Sequence, residues 1–201
     1  MNEVEILSTI ETKYQDIYIK VDSLPKPYKG KDTTKAILLG TDPGNYSKGE
    51  TRMLEYVFGL EDIKTPYFRE IYNNLEALNN LSLDNLYVQN ICKNYFNCDT
   101  FDNKHWKEVA QIWLPFITEE LNTEYSKDIP ILISTEIILD VILKESGSKK
   151  NAEHYYSNLV FIDSEENIFK RTVIPFYRHY KYNLLNWDGY RDKVDNYFEV
   201  S

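Results

Sequence analysis

Two short apolar runs, Ala36–Leu39 and Ile129–Ile133, constrain the fold of this chain most strongly. Each is too short for a typical helix and is flanked by turn-forming or charged residues, as is typical of a parallel strand buried on both faces. Weaker strand candidates are Leu86–Ile91, Asn158–Ile162 and Arg171–Pro175. The sequence therefore predicts a mainly parallel sheet of four or five strands.

Segments with helical periodicity lie between these runs, with apolar residues three and four positions apart. They are Tyr67–Asn79, His105–Leu121 and Thr135–Lys144, and a further helix is expected from the N-terminus through about Ile19. Alternating strands and helices predict an α/β fold of three layers, with helices on both faces of the sheet. Lys20–Thr34 is expected to be a connector, and residues 1–201 are expected to form a single domain.

Charge and cysteine content limit the function. The formal net charge of -9 disfavours indiscriminate binding of polyanions. A local basic face is still expected near the C-terminus, from Lys170, Arg171, Arg178, Lys181, Arg191 and Lys193. Two cysteines are too few for a four-cysteine zinc or iron–sulfur site, so no metal cluster or cofactor is expected. The chain has no signal-peptide pattern or long apolar stretch, so we expect a cytoplasmic protein without a membrane partner.

The first candidate motif is the turn that follows Ala36–Leu39, with the sequence Gly40, Thr41, Asp42, Pro43, Gly44. Ligands bind at the carboxyl ends of strands in open α/β sheets, so a carboxylate here faces the expected site. The glycines permit close approach of a ligand to the backbone. A helix cap or a plain turn explains Asp42 about equally well.

Two further motifs follow predicted strands. Asn90 ends the strand at Leu86–Ile91, and its amide could read a base edge through a donor–acceptor pair or merely satisfy a turn. The segment Thr172–Trp187 interleaves basic and aromatic residues, which suit phosphate contacts and base stacking, or a protein interface.

In order and rough spacing, these three stretches resemble the uracil-DNA glycosylase superfamily. The family's Gly-x-Asp-Pro or Gly-x-x-Pro-Gly turn is matched by residues 40–44, and its base-reading Asn, with a Lys shortly after, by Asn90 and Lys93. Its His-Pro-Ser loop is matched in part by His179, Tyr180 and Lys181. The segment Thr65–Leu78 is similar to the one that places an aromatic ring over the base, which nominates Tyr67 or Phe68. The likeness covers the chain from about Lys35 onward.

The resemblance implies a glycosylase that hydrolyses the N-glycosidic bond of a flipped uracil or a related damaged or mismatched base, without metal or cofactor. Asp42 then orients water and stabilises the cationic sugar, and His179 donates a hydrogen bond to the leaving base. Gly40, Thr41, Gly44, Asn90 and the aromatic ring bind the base. On the nucleic-acid side, the resemblance implies phosphate contacts from Arg178 and Lys181 and a wedge from Tyr182 or Leu184.

Departures from the family pattern leave alternatives open. Tyr180 and Lys181 replace Pro-Ser, which changes the last loop, and Gly44 replaces the bulky Tyr of the best-known branch, which leaves room beside C5 of a pyrimidine. The acidic pI of about 4.9 suits a nucleoside, a nucleotide or RNA as substrate in place of duplex DNA. A noncatalytic protein that binds a partner through its many tyrosines is the remaining alternative. Convergence of Asp42, Asn90 and His179 on one pocket favours an enzyme, whereas a scattered arrangement with an exposed aromatic patch favours a binding module.

Overall fold

A computed structural model of the chain describes residues 1–43, 46–47, 50–51, 53–61, 66–144, 147 and 149–199, with the backbone alone at 46, 47, 50, 51, 66 and 67. In these ranges the strands are β1 (Tyr18–Ile19), β2 (Tyr28–Lys29), β3 (Ala36–Gly40), β4 (Tyr46–Ser47), β5 (Glu50–Thr51), β6 (Leu86–Asn90), β7 (Tyr95–Phe96), β8 (Ile131–Ile133) and β9 (Val173–Pro175). The α-helices are α1 (Glu3–Lys13), α2 (Pro66–Glu76), α3 (Trp106–Glu124), α4 (Leu139–Ile142), α5 (Ala152–Ser157) and α6 (Asp188–Glu199). Short 3-10 helices lie at Val57–Gly59, Leu83–Asn85, Glu136–Ile138, Ser164–Glu166, Tyr180–Tyr182 and Leu184–Asn186.

The central sheet has five strands in the order β2–β6–β3–β8–β9. The pairs β6–β3, β3–β8 and β8–β9 are parallel, and the edge strand β2 is antiparallel to β6. Every residue of β3, β6, β8 and β9 is buried. Because successive side chains of a strand point to opposite faces, both faces of the sheet are covered. The predicted three-layer α/β fold with a mainly parallel sheet is confirmed.

Several predicted elements differ from the observed ones. The segment predicted as a strand at Asn158–Ile162 forms no strand, because Leu159 has a φ of 54° and Ile162 alone bridges Val173. The expected connector Lys20–Thr34 contains β2. The N-terminal helix stops at Lys13, and β1 follows it. The helix predicted at Thr135–Lys144 is divided into a 3-10 turn and the four-residue α4, and α5 and α6 were not predicted.

The terminal helices belong to the same core as the sheet. Asn2 and Glu5 form a capping box that starts α1, whose buried face carries Ile6 and Ile10. A single cluster of buried apolar side chains extends from Ile6 to Phe198 in α6. In addition, Asp195 of α6 accepts hydrogen bonds from the backbone N–H groups of Asn79 and Asn80 at 2.8 Å. The elements around the sheet edge are therefore held by one packed core.

Candidate functional site at the carboxyl edge of the sheet

The parallel strands end at one edge of the sheet. Gly40 of β3 pairs with Asn90 of β6, and Ile133 of β8 pairs with Pro175 of β9. From this edge, the chain connects β3 to β6, which lies on one side of β3 in the sheet. Strand β8 lies on the other side of β3, and the chain connects it to β9, farther out on that side. The connections after β3 and β8 therefore run in opposite directions. Such a topological switch point opens a crevice in which ligands bind in α/β proteins.

A cavity of about 790 Å³ lies at this switch point. Its wall combines residues that follow β3, β8 and β9 with a loop after β7, among them Thr41, Thr100, Ser134, Tyr177, Arg178, His179 and Tyr182. This volume is within the range of small-molecule and cofactor sites. His179 and Thr41 line this cavity, whereas Asp42 and Asn90 are not among its lining residues.

Asp42 is linked to the cavity through Thr100. The carboxyl of Asp42 is buried, and its Oδ2 accepts a hydrogen bond of 2.6 Å from Thr100 Oγ1. The hydroxyls of Thr41 and Thr100 lie 3.2 Å apart. Burial, followed by the charge of Asp42, raises the pKa of the Cys92 and Cys98 thiols, which favours their protonated forms.

Asn90 is a buried amide whose hydrogen bonds are not made within the described part of the chain. Its side chain is 1% exposed, and neither Oδ1 nor Nδ2 has a hydrogen-bond partner there. The backbone N–H of Asn90 is satisfied, since it donates to Gln89 Oε1 at 2.9 Å. Burial of an amide without hydrogen bonds lowers the stability of the folded protein, because both polar groups lose their bonds to water. A polar ligand could form these hydrogen bonds.

Phe58 is an aromatic residue that lies close to this amide. A Cβ built on Gly40 would lie 2.7 Å from Phe58 Cε2 and closer still to Phe58 Cζ and Asn90 Oδ1, so ring and amide meet at Gly40. Phe58 has a φ of 62°, which is strained for a bulky residue. Sequence reasoning missed it and nominated Tyr67 or Phe68. Phe68 is fully buried behind Phe58, with ring centroids 6.1 Å apart, and the Tyr67 side chain lies outside the described residues.

The loop after β9 presents His179 to solvent at the cavity rim. His179 Nδ1 accepts the backbone N–H of Lys181 at 3.2 Å, so in the neutral ring the proton is on Nε2, which can donate to a ligand. Arg178 is half-buried on the same wall. The Lys181 ammonium lies 3.1 Å from Glu153, and Tyr182 packs against Trp187.

The predicted wedge residue Leu184 requires correction. It is fully buried, and its N–H donates to Asn74 Oδ1 at 2.8 Å, so its side chain belongs to the core. Tyr182 is half-buried in an aromatic cluster with Tyr156. The exposed large apolar side chains of this loop are Tyr180 and Leu185, which are 72% and 62% exposed. If the loop enters a base stack, these two residues are positioned to do so.

The predicted basic face is also corrected. Arg171 is buried and donates to the carbonyls at the end of α3, including Leu121 O at 3.0 Å and Tyr125 O at 2.7 Å. Arg191 pairs with Asp188 and Asp192, and Lys193 bonds the carbonyl of Leu159. Lys93, matched to the family's lysine, lies 2.5 Å from Glu3 of α1. The charges of Arg191 and Lys93 are therefore paired with carboxylates, and Arg171 and Lys193 are engaged by backbone carbonyls within the protein.

Three further predictions concern Gly44, a metal site and a membrane-spanning helix. Gly44 lies outside the described residues. Among the described residues, no group of three or more His, Cys, Asp or Glu side chains is placed to hold a metal ion. Within the same residues, no helix is both long and apolar enough to cross a bilayer.

Fold and site together define an α/β protein with a ligand-sized crevice at its switch point. No protein-family model and no curated protein matches the chain. Among solved structures, it is similar to the crystal structure of wild-type SMUG2 from Pedobacter heparinus, with a TM-score of 0.47 and 14% identity over 97% of each chain. At this level of likeness, the comparison assigns neither a family nor an activity to the chain.

Proposed function

We propose that this protein is a DNA glycosylase-like hydrolase that excises a flipped uracil or related base by hydrolysis of the N-glycosidic bond. The observation that carries the proposal is the buried amide of Asn90 at the sheet edge, which has no hydrogen-bond partner among the described residues, with Phe58 beside it and Asp42 on the neighbouring turn. A planar amide that offers one donor and one acceptor matches the edge of a nucleobase. An adjacent aromatic ring suits stacking on the base face.

In this proposal the residues have separate roles. Asn90 reads the base edge, Phe58 stacks on the base, and Gly40 and Thr41 permit its close approach. Asp42 orients a water molecule toward C1′ and stabilises the positive charge that develops on the sugar as the glycosidic bond breaks. The bonding electrons leave with the base, and Nε2–H of His179 stabilises the negative charge on the departing ring. The oriented water forms the new bond to C1′ and gives up a proton, and the departing base takes up a proton from solvent, so that the products are a C1′ hydroxyl and a neutral base. Tyr67 and Gly44 stay predictions for the base site.

The direct test is release of a base. The protein is incubated with single-stranded and duplex oligonucleotides that carry uracil, hypoxanthine, xanthine or a G·T mismatch, and abasic sites are revealed by alkaline cleavage. We expect abasic sites with at least one of these bases, and far slower formation of abasic sites with the Asp42→Asn variant. Intact strands with every base would overturn the proposal.

A nucleoside or nucleotide substrate is the second candidate, and the distribution of charge favours it. Lys181, which is exposed, and Arg191, which is half-buried, are each paired with at least one carboxylate, and the chain carries a net charge of -9. Both features weaken the phosphate contacts on which duplex affinity depends. Chromatographic detection of free base from uridine, deoxyuridine or their monophosphates, with no release from oligonucleotides, would select this candidate.

A further inference from the structure

The backbone N–H of Asn90 lies at an open position of the sheet. The next N–H along the strand, that of Ile91, donates to Gly40 O of β3 at 2.9 Å. Because successive N–H groups of a strand point in opposite directions, the N–H of Asn90 points toward the β2 side. The register of β2 would bring Lys26 opposite Asn90, but Lys26 pairs with Tyr56 instead. The end of β6 therefore needs a hydrogen-bond acceptor from outside the sheet.

Gln89 supplies this acceptor from its side chain. The residue is fully buried, and its Oε1 accepts the N–H of Asn90 at 2.9 Å, while its Nε2 donates to Glu120 Oε1 of α3 at 3.5 Å. A backbone N–H can only donate and a carboxylate can only accept, so these two partners determine which way the Gln89 amide points. Gln89 thus links Asn90 to helix α3.

Glu120 is held by two further side chains. Tyr87, two residues before Gln89 on the same strand, donates its hydroxyl to Glu120 Oε1 at 2.6 Å. The ammonium of Lys93 lies 4.0 Å from Glu120 Oε2, and the side chains of Lys93 and Glu120 are only 10% and 17% exposed. Hydrogen bonds to a carboxylate are stronger than those between neutral groups, particularly where water is largely excluded. The carboxylate therefore keeps a defined position, from which it orients the Gln89 amide.

The position of the Asn90 amide is set indirectly. Neither of its polar atoms has a hydrogen-bond partner among the described residues, so its direction depends on its backbone and on packing around Gly40 and Phe58. We propose that Gln89, oriented by Glu120, is a positioning residue that fixes the end of β6 and thereby holds the Asn90 amide in the orientation that reads the base. This inference deepens the proposed function and rests on it, although the state of the amide can be measured without a substrate. Recognition groups must be held within a fraction of an ångström, which requires such support.

Binding and spectroscopy together test this role. Fluorescence anisotropy compares two fluorescein-labelled single strands, one with a central 2′-fluoro-deoxyuridine, whose glycosidic bond resists hydrolysis, and one with an abasic tetrahydrofuran at the same position. The ratio of the two affinities, the base preference, measures recognition of the base alone. In parallel, NMR spectra of isotopically labelled protein report the side-chain amide resonances of Asn90, which are identified by their absence in Asn90→Leu.

Gln89→Leu is the test variant, and Asn94→Leu is its matched control. Asn94 is also a fully buried amide that joins the chain after β6 to α3, because its Oδ1 accepts Trp113 Nε1–H at 2.8 Å. Its Nδ2 donates to Tyr95 O at 3.3 Å. Both substitutions therefore remove a buried amide that is bonded to α3, but only Gln89→Leu removes the acceptor of the Asn90 N–H.

Exchange of the two polar groups gives an independent test, which decides the question if Gln89→Leu does not fold. Gln89→Glu keeps an acceptor for the N–H of Asn90 but sets a second carboxylate against Glu120. Adding Glu120→Gln restores one donor and one acceptor between the two positions and leaves their combined charge as in the wild type.

We expect Gln89→Leu to shift the Asn90 amide resonances and to lower the base preference about tenfold, while Asn94→Leu lowers stability and leaves both unchanged. Gln89→Glu should also lower the preference, and the added Glu120→Gln should restore it to within about twofold of wild type. Wild-type amide resonances in Gln89→Leu, an equal loss of preference in Asn94→Leu, or no recovery in the double variant overturns the inference. Equal affinity of the wild-type protein for the two strands overturns the base-reading role in the proposed function, and the amide resonances then decide the positioning role alone.

Discussion

Gly40 and Asn90 are paired residues on adjacent parallel strands, and the side chain of Asn90 occupies the space that a Cβ on Gly40 would need. Phe58 occupies the other side of the same space. The absence of a side chain at residue 40 thus allows an amide and an aromatic ring to come together at the sheet edge. The composition of the candidate base site depends on this one glycine.

Substitution of Gly40 should therefore damage both folding and the site. In Gly40→Ala the new Cβ overlaps Asn90 Oδ1 and the Phe58 ring, and overpacking of a buried site typically costs about 1–3 kcal/mol. Gly189→Ala is the control, because its Cβ would meet Leu159 Cδ2 at an ordinary 3.5 Å and alanine favours helix α6. Urea denaturation measures both variants. A Gly40→Ala protein as stable as wild type would contradict the observed contact.

Two fully buried asparagines allow a structural role to be distinguished from a ligand-binding role. Asn74 bonds Tyr177 O at 3.3 Å and accepts the N–H of Leu184 at 2.8 Å, whereas the Asn90 amide is unpaired among the described residues. Asn74→Leu should lower the free energy of unfolding by at least about 2 kcal/mol, because two backbone groups lose their partners. Asn90→Leu should leave stability unchanged or raise it, while activity falls at least about tenfold. Comparable destabilisation of both variants would assign Asn90 to the scaffold.

Strands that are buried on both faces could be predicted from the sequence, because burial gives them a continuous run of mostly apolar residues. β3 and β6 are buried on both faces and could be predicted almost to the residue, and with them the positions of Asp42 and Asn90 beyond their ends. Edge strand β2 has two residues, of which Tyr28 is half-buried and Lys29 is exposed, so no apolar run marks it. Short strands and short helices are stabilised by tertiary contacts more than by local sequence pattern.

The aromatic part of the site could not be predicted from periodicity. Phe58 is placed by a positive φ, a rare conformation for a bulky residue, and the only local signal is Gly59, whose φ of 68° continues the turn. In the last loop, one position separates the buried Leu184 from the exposed Leu185. The sequence contains two adjacent leucines, and the bond from Leu184 N–H to the distant Asn74 decides which of them turns inward.

Arg171 should contribute to stability and not to nucleic-acid binding. Its guanidinium bonds the carbonyls of Leu121, Tyr125, Ser126 and Ile129. Arg171→Met leaves these buried acceptors without a charged donor and should cost about 3 kcal/mol or more. Lys170→Met, a change at the exposed neighbour, should alter stability by less than about 0.5 kcal/mol. Thermal unfolding compares them, and a stable Arg171→Met protein with impaired oligonucleotide binding would restore Arg171 to the basic face.

Release of Lys181 from its ion pair should strengthen binding of nucleic acid. The Lys181 ammonium lies 3.1 Å from the carboxylate of Glu153, and both side chains are exposed. Glu153→Gln removes this competitor for the cation and should steepen the dependence of log affinity on log salt by roughly one unit if Lys181 then contacts a phosphate. Lys181→Ala should abolish that change. Equal salt slopes for wild type and Glu153→Gln would place the phosphate-binding surface elsewhere.

Replacement of Asp42 by asparagine tests the proposed chemistry most directly. Asp42→Asn keeps the size of the side chain and an oxygen that can accept the hydrogen bond from Thr100 Oγ1, so a purely structural turn should persist. Stabilisation of a cationic sugar requires the negative charge, and loss of one preorganised electrostatic group slows chemistry about a hundred- to a thousand-fold.

Single-turnover kinetics measure this rate. Fluorescence anisotropy with a labelled oligonucleotide that carries 2′-fluoro-deoxyuridine, whose glycosidic bond resists hydrolysis, measures affinity. We expect the rate of base release by Asp42→Asn to fall by that factor with affinity nearly unchanged. Thr100→Val is the companion variant: it removes the donor and keeps the charge, so its rate should fall less than that of Asp42→Asn. Undiminished base release by Asp42→Asn would exclude the carboxylate from the chemistry. Asp42 would then serve only to close the turn after β3 through its bond to Thr100.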